Sequence, residues 1–275
     1  MAIKGAILGD IIGSQYEFQR PANFDYKTAI LLSERCEYTD DTVLTLATKY
    51  AILHEKPFYE VYAQFGLKYP NKGYGGMFLD WLESEDRKPY NSYGNGSAMR
   101  VSYIADYYTN YTDVQSKAKL SAQCTHNHPE GIKGAVVTAT CIWMAKHGND
   151  KEDILLYGIE QYPKDKYAYS PEMSLYEMRK YYTWNATCQG SVPAVIRCTY
   201  EANNYTEFIR NVFSLNCDTD TLCAIGGGIA EELFDNTYDE LLPFADKILG
   251  SYLDDCLLKV LKNNFDYNSK KNIDL

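Results

Sequence analysis

Residues 3–18 read IKGAILGDIIGSQYEF, and the reading of this stretch decides the fold. Gly5, Gly9 and Gly13 recur at every fourth position, the spacing that lines residues up along one face of an α-helix. With the apolar residues between them, the pattern predicts a first helix from about Ile3 to Phe18. Each glycine inside a helix costs about 1 kcal/mol relative to alanine, so three in one stripe point to close approach by another backbone or by a ligand. Asp10 and Glu17 stand seven positions apart, which on a continuous helix sets both carboxylates on nearly the same face. Such a strip either faces water or serves a site.

The helical period extends outward from there. Val43, Leu46, Ala47, Tyr50 and Ala51 space the segment Thr42–Leu53 as an amphipathic helix, and Ile132–Lys146 and Leu222–Phe234 behave alike. Strand alternation is scarce, and glycines and prolines punctuate the chain at Pro70–Gly76, Tyr93–Gly96 and His126–Gly131. The expectation is a single all-α domain over 1–262, followed by a polar tail over 263–275, with no linker, low-complexity tract or internal repeat. A hydrophobic content of 45% over 275 residues excludes global disorder. The balance of 27 basic against 37 acidic residues, net −10, argues against general nucleic-acid binding, which needs a basic face. No apolar run approaches the roughly 18 residues of a membrane span, so no membrane association is expected. Asp10 interrupts the N-terminal apolar stretch, which argues against an export signal. The eight cysteines form no CxxC pair and sit in apolar segments, reading as buried thiols in a reducing cytoplasm. The 26 tyrosines read as core rim and surface more readily than as a binding face. A monomer is expected.

Two acidic clusters stand directly before predicted helices: Thr39-Asp40-Asp41-Thr42, and Asn216-Cys217-Asp218-Thr219-Asp220-Thr221. Taken singly, each is ordinary N-capping, since a capping Thr or Asp and acids in the first turn stabilise a helix by about 0.5–1 kcal/mol each. Capping does not explain why two helix starts share one grammar, a pair of aspartates flanked by threonine hydroxyls. Carboxylates and hydroxyls are hard oxygen ligands suited to Mg²⁺, Mn²⁺ or Ca²⁺, and no Cys/His set favours zinc. If the two helix starts converge, four aspartates could hold two ions about 3.5–4 Å apart with a bridging water between them. Gly226-Gly227-Gly228, in the helix after the second cluster, again permits close approach; no Lys-Ser/Thr follows it, as a phosphate-cradling loop would require.

Two glycine-bearing loops lie between the clusters, Asn71–Gly76 and Asn91–Arg100. Exposed backbone N–H groups, Asn and Ser donors and a tyrosine in each suit a ligand carrying phosphates, ribose and a base. His126 and His128 precede another helix, where a hydrogen-bonded capping histidine is a simpler reading than a metal site.

Taken together, Gly9-Asp10-x-x-Gly13-x-x-x-Glu17, Thr39-Asp40-Asp41-Thr42, Gly73-Tyr74-Gly75, Gly94-Asn95-Gly96-Ser97-Ala98-Met99-Arg100, Thr125-His126-x-x-Pro129-x-Gly131 and Asp218-Thr219-Asp220-Thr221 resemble, in order, the ADP-ribosylglycohydrolases. The resemblance spans Gly5 to about Phe234. It implies a compact orthogonal helical bundle with two divalent cations, Mg²⁺ or Mn²⁺. It also implies hydrolysis of the bond between ribose C1″ of ADP-ribose and a protein side chain or small-molecule acceptor. Thr39, Asp40, Asp41, Asp218, Asp220 and Thr221 would be the metal ligands. Glu17, Asp41 and Asp220 would be catalytic, Glu17 as general base or gate. Gly73, Tyr74, Gly75, Ser92, Tyr93, Asn95, Gly96, Ser97 and His126 would bind the substrate. The segment 150–211 matches nothing distinctive, so the acceptor is not legible.

Two other readings compete. A relative that keeps the fold could bind ADP-ribose without turning it over. Asp218-x-Asp220-Thr221 also resembles the nucleophile motif of haloacid-dehalogenase-type phosphatases, but that motif follows a hydrophobic strand near the start of an α/β domain, whereas here it comes late and enters a helix.

Overall fold

The computed structural model describes residues 1–263, within which the chain runs through fourteen α-helices. They are α1 (Ala2–Ser14), α2 (Asp40–Leu53), α3 (Phe58–Lys68), α4 (Gly76–Glu83), α5 (Ser102–Tyr107), α6 (Tyr111–Gln123), α7 (Pro129–Lys146), α8 (Lys151–Gln161), α9 (Leu175–Tyr181), α10 (Cys188–Tyr200), α11 (Tyr205–Phe213), α12 (Thr219–Leu233), α13 (Ala245–Tyr252) and α14 (Asp255–Lys262). Among the described residues no β-strand forms; one isolated antiparallel bridge joins Gly94 to Thr187. No described helix is long and apolar enough to cross a membrane. The all-α expectation holds. Apart from Asn263, the tail expected over 263–275 lies outside the described residues.

At the centre, α1 and α12 pack antiparallel with their backbones in contact. A Cβ added at Gly9 would collide with the Cys223 carbonyl, one at Gly5 with the Gly227 carbonyl, and one at Gly13 would lie 2.5 Å from Asp220 Cα. The glycine stripe is therefore a groove for another helix. Gly227 returns the fit against the Gly5 carbonyl, and Gly226 accommodates Phe208, so the three-glycine run serves packing inside a helix. Both helices are buried nearly all round, from Ala2 to Gly13 except Lys4 and from Thr219 to Ala230. A helix apolar on every face needs neighbours on every face. Between them α1 and α12 contact α2, α5, α7, α10, α11 and α13.

Both ends of α1 are finished by distant side chains. Met1 provides no cap; instead Asp106 accepts the N–H groups of Ala2 and Ile3, each at 3.0 Å, and Glu231 accepts that of Gly5 at 2.6 Å. These are the donors that a helix start leaves without internal partners. At the other end the Gln15 amide donates to Ile12 O and to Leu31 O, and Tyr16 N bonds Gly13 O at 2.9 Å. The helix thus stops at Ser14, four residues before the expected end. Glu17 sits in the bend beyond, so it shares a site with Asp10 through the turn of the chain and not through a common helical face.

The close contact makes a sharp test. Gly9→Ala should destabilise the protein by about 1–3 kcal/mol through overpacking. Gly250→Ala, in α13 with no atom within 4 Å of the added methyl, should be neutral or stabilising by up to about 1 kcal/mol. Urea unfolding measures both; equal effects would contradict the helix contact.

Candidate metal centre and cleft

Asp10 is an acid in the most apolar helix of the protein, and it is fully buried. Its carboxylate accepts four hydrogen bonds from the start of α2: Thr39 N at 2.9 Å, Thr39 Oγ1 at 2.7 Å, Thr42 N at 3.0 Å and Thr42 Oγ1 at 2.5 Å. Burial raises the Asp10 pKa, and these donors pull it part of the way back. Asp10 therefore clamps the first turn of α2 onto α1, setting where Asp40 and Asp41 lie. Thr39 caps α2 by accepting from Asp41 N at 3.3 Å.

The second cluster departs from the capping explanation. Asp218 occupies the position before α12 but makes no side-chain cap; its carboxylate accepts from Asn95 Nδ2 at 2.9 Å. The Asp220 carboxylate accepts from Thr221 N at 2.9 Å, and Thr221 Oγ1 donates to Asp41 Oδ2 at 3.1 Å. This last bond joins the two clusters across 180 positions of sequence. Carboxylate oxygens of Asp10, Asp41 and Asp220 lie within 4.8 Å of one another, as do those of Glu17, Asp218 and Asp220, so Asp220 belongs to both groups.

No described lysine, arginine or histidine forms an ion pair with any of these acids. Desolvation, then the repulsion of neighbouring carboxylates, pushes the pKa values of Asp40, Asp41 and Asp220 well above the ordinary range. Glu17, half-buried, is pushed up to about 7, by burial first and by Asp218 second. Asp41 Oδ1 is buried without a hydrogen-bond partner. Buried polar atoms rarely go unpaired, so an orphaned carboxylate oxygen among uncompensated acids fits a hard divalent cation.

A cleft of about 370 Å³ opens onto this centre. Glu17, Asp40, Asp218, Asp220 and Thr221 line it, as do Gly73, Gly75, Ser92, Asn95, Gly96 and His126 from the loops read in the sequence. Gly73 has φ +90, and a Cβ there would lie 3.4 Å from Asp40 Oδ1; Asp40 N in turn donates to Lys72 O at 2.7 Å, tying this loop to α2. Asn95 is anchored by Ser191 at 3.1 Å as well as by Asp218.

Three residues expected at the substrate do not line this cleft. Tyr74 is buried, stacked on Phe78 with ring centroids 5.3 Å apart. Ser97 is fully buried and donates to Gly131 O at 2.7 Å. Tyr93 is exposed and packs against His128, 5.1 Å between centroids, while His128 accepts from Glu130 N as the cap of α7.

Sequence reasoning missed Phe18, Met77, Tyr90 and Trp184, all in the cleft wall. Trp184 comes from the stretch 150–211 that carried no signal. It stands on an extended segment, 183–187, whose residues alternate: Trp184 and Ala186 line the cleft, and Thr183, Asn185 and Thr187 line a neighbouring cavity of about 460 Å³. Main-chain bonds from Asn95 N to Ala186 O and from Cys188 N to Tyr93 O, both 2.9 Å, fix this wall to the 91–100 loop.

A model of the ADP-ribosylglycohydrolase family matches residues 1–230. The human ADP-ribosylhydrolase ARH3 is 33% identical over 189 residues, 56% of this chain and 51% of that protein, and its mouse counterpart is 34% identical over 182 residues, 53% and 48%. The chain thus spans about half the length of these curated relatives. A putative ADP-ribosyl glycohydrolase, L543, of Acanthamoeba polyphaga mimivirus is 23% identical over 287 residues, 86% of each chain. A solved structure described as an ADP-ribosylglycohydrolase-related protein complex superposes with a TM-score of 0.67 at 20% identity, covering 85% of this chain and 86% of that one, which is a likeness of fold.

The uncompensated acids predict a pH signature. A carboxyl whose pKa is higher folded than unfolded contributes stability that is full below the unfolded value and is lost as pH rises through the folded one. For Glu17 that window runs from 4.5 to about 7, and burial gives the same window to Glu231 of α12, even though it pairs with the N-terminal ammonium. Thermal unfolding in excess chelator should give a Tm that falls between pH 5 and pH 8. A Tm that climbs over this range would contradict the electrostatic description.

Proposed function

The chain belongs to the ADP-ribosylglycohydrolase family, and on that premise we propose that it is a divalent-cation-dependent hydrolase that cleaves ribose C1″ from the acceptor in ADP-ribose conjugates. The observation that carries the reading is the Thr221–Asp41 bond, because it brings two aspartate-bearing helix starts together at the rim of a cleft. Thr39, Asp40, Asp41, Asp218, Asp220 and Thr221 would hold two cations, Mg²⁺ or Mn²⁺. Thr39 is already committed to Asp10 through its hydroxyl, which leaves the carboxylates as the stronger donors. Such ions supply Lewis-acid stabilisation and lower the pKa of water when bound.

The protein's own groups account for the rest. Glu17 faces the cleft with a carboxyl tuned to about 7, the range in which a general base both holds and releases a proton near neutrality. In the reaction, the C1″–acceptor bond breaks as a water oxygen bonds to C1″; one water proton stays on the new C1″ hydroxyl, and the other passes to Glu17, which returns it to the departing acceptor. Asp41 and Asp220 would stabilise the oxocarbenium-like charge that develops at C1″. Gly73, Gly75 and Gly96 let a diphosphate approach the backbone, Ser92, Asn95 and His126 offer neutral contacts, and Trp184 gives an aromatic wall. The acceptor is an ADP-ribosylated protein side chain or a small molecule. Eight free cysteines, six of them buried, support a reducing, cytoplasmic setting, and we take the working unit to be a monomer. The phosphatase reading loses its support, because Asp218–Thr221 enters α12 from a loop, with no strand before it.

Chelation should abolish turnover of a defined ADP-ribosylated peptide and lower the Tm, with Mg²⁺ or Mn²⁺ restoring both. Full activity in protein verified to be metal-free would remove the mechanism, and binding of ADP-ribose without turnover would favour a binding module. Asp220→Ala should lose metal and turnover together. Glu17→Gln should retain metal while kcat falls by about 10²–10⁴, the usual worth of a general base. Equal metal loss in the two variants would show the role of Glu17 to be wrong.

A further inference from the structure

His126 borders the cleft with Nε2 toward the glycine loop: a Cβ on Gly96 would lie 3.4 Å from it and one on Gly94 3.5 Å. The other ring nitrogen, Nδ1, is 2.7 Å from Thr125 Oγ1. The same oxygen accepts from Arg100 Nη2 at 2.9 Å, and that nitrogen also donates to Ser121 O at 2.9 Å. Arg100 and Thr125 are fully buried, and His126 nearly so. Among the described residues Arg100 has no carboxylate partner; the Tyr62 ring, 4.1 Å from its guanidinium carbon, supports the charge.

Donor chemistry sets the direction of this chain of bonds. A guanidinium only donates, so Thr125 Oγ1 gives one lone pair to Arg100 and still has a single proton to place. Thr125 is sealed from water, and Nδ1 stands within 2.7 Å to receive that proton. The Tyr90 phenol and Cys124 thiol also adjoin Thr125 and could accept from it, but an imidazole nitrogen is a far stronger acceptor than a phenol oxygen or a thiol sulfur, so Nδ1 takes the Thr125 proton. With Nδ1 accepting, the ring proton belongs on Nε2.

We propose that Arg100 is a positioning residue: acting through Thr125, it fixes His126 as a neutral imidazole that presents Nε2–H, and not a lone pair, to a ligand oxygen in the cleft. Burial, and after it the Arg100 charge, also disfavours the imidazolium. The proposal rests on the functional reading above only in taking that oxygen to belong to an ADP-ribose conjugate; the tautomer itself does not depend on turnover.

The test is imidazole ¹H–¹⁵N correlation spectroscopy on ¹⁵N-histidine protein from pH 5 to pH 8. The signals of His126 are identified among the four histidines by their absence in His126→Gln. The expected result is the neutral Nε2–H pattern, unchanged across the range. An Nδ1–H pattern, or a ring that titrates within the range, overturns the proposal. Thr125→Val, which removes the hydroxyl at nearly constant volume, should release the tautomer or let the ring titrate, whereas Thr125→Ser should keep the wild-type pattern. Calorimetry with ADP-ribose should show about ten-fold weaker binding for the valine variant and recovery with serine. Valine and serine variants with the wild-type ring signature would also overturn the relay. Wild-type protein that shows the expected ring signature yet binds no ADP-ribose would count against the functional reading alone.

Discussion

Six carboxyl groups, those of Asp10, Glu17, Asp40, Asp41, Asp218 and Asp220, gather where no described basic side chain pairs with them, and the scaffold must hold them against their own repulsion. The hold comes from the least polar part of the molecule. The backbones of α1 and α12 touch along a glycine groove, and Gly13 puts α1 against Asp220 itself. From the same helix Asp10 takes four donors from the α2 start, so one rigid rod registers both acidic turns. Burial that would be unfavourable for any one acid is imposed by packing spread over the whole core.

Much of this was legible in the chain because it is local. Glycines at four-residue spacing announced a helix with a close neighbour, and pairs of aspartates beside threonines announced two helix starts with more to do than cap. The unread parts depend on partners far away in sequence. The end of α1 is set by Gln15 reaching the carbonyl of Leu31, so a periodic pattern continuing past Ser14 could not reveal it. Asp10 looked like a companion of Glu17 on one helical face, whereas its partners are Thr39 and Thr42.

The loops show the same limit. Helices have a period from which an inward face can be read; a glycine-bearing loop has none. The sequence singled out 71–76 and 91–100 as ligand loops, and both border the cleft, yet Tyr74 and Ser97 turn into the core and Tyr93 turns outward to His128. Trp184 was silent for a related reason: a lone aromatic in a stretch without pattern reveals its neighbours only when the 91–100 loop is laid beside it.

The extended wall at 183–187 divides two spaces with alternate side chains. Its even positions, Trp184 and Ala186, shape the chamber that holds the acids, while Thr183, Asn185 and Thr187 shape the adjoining hollow. Substitution can therefore remodel one room through one set of alternate positions and leave the other furnished as before.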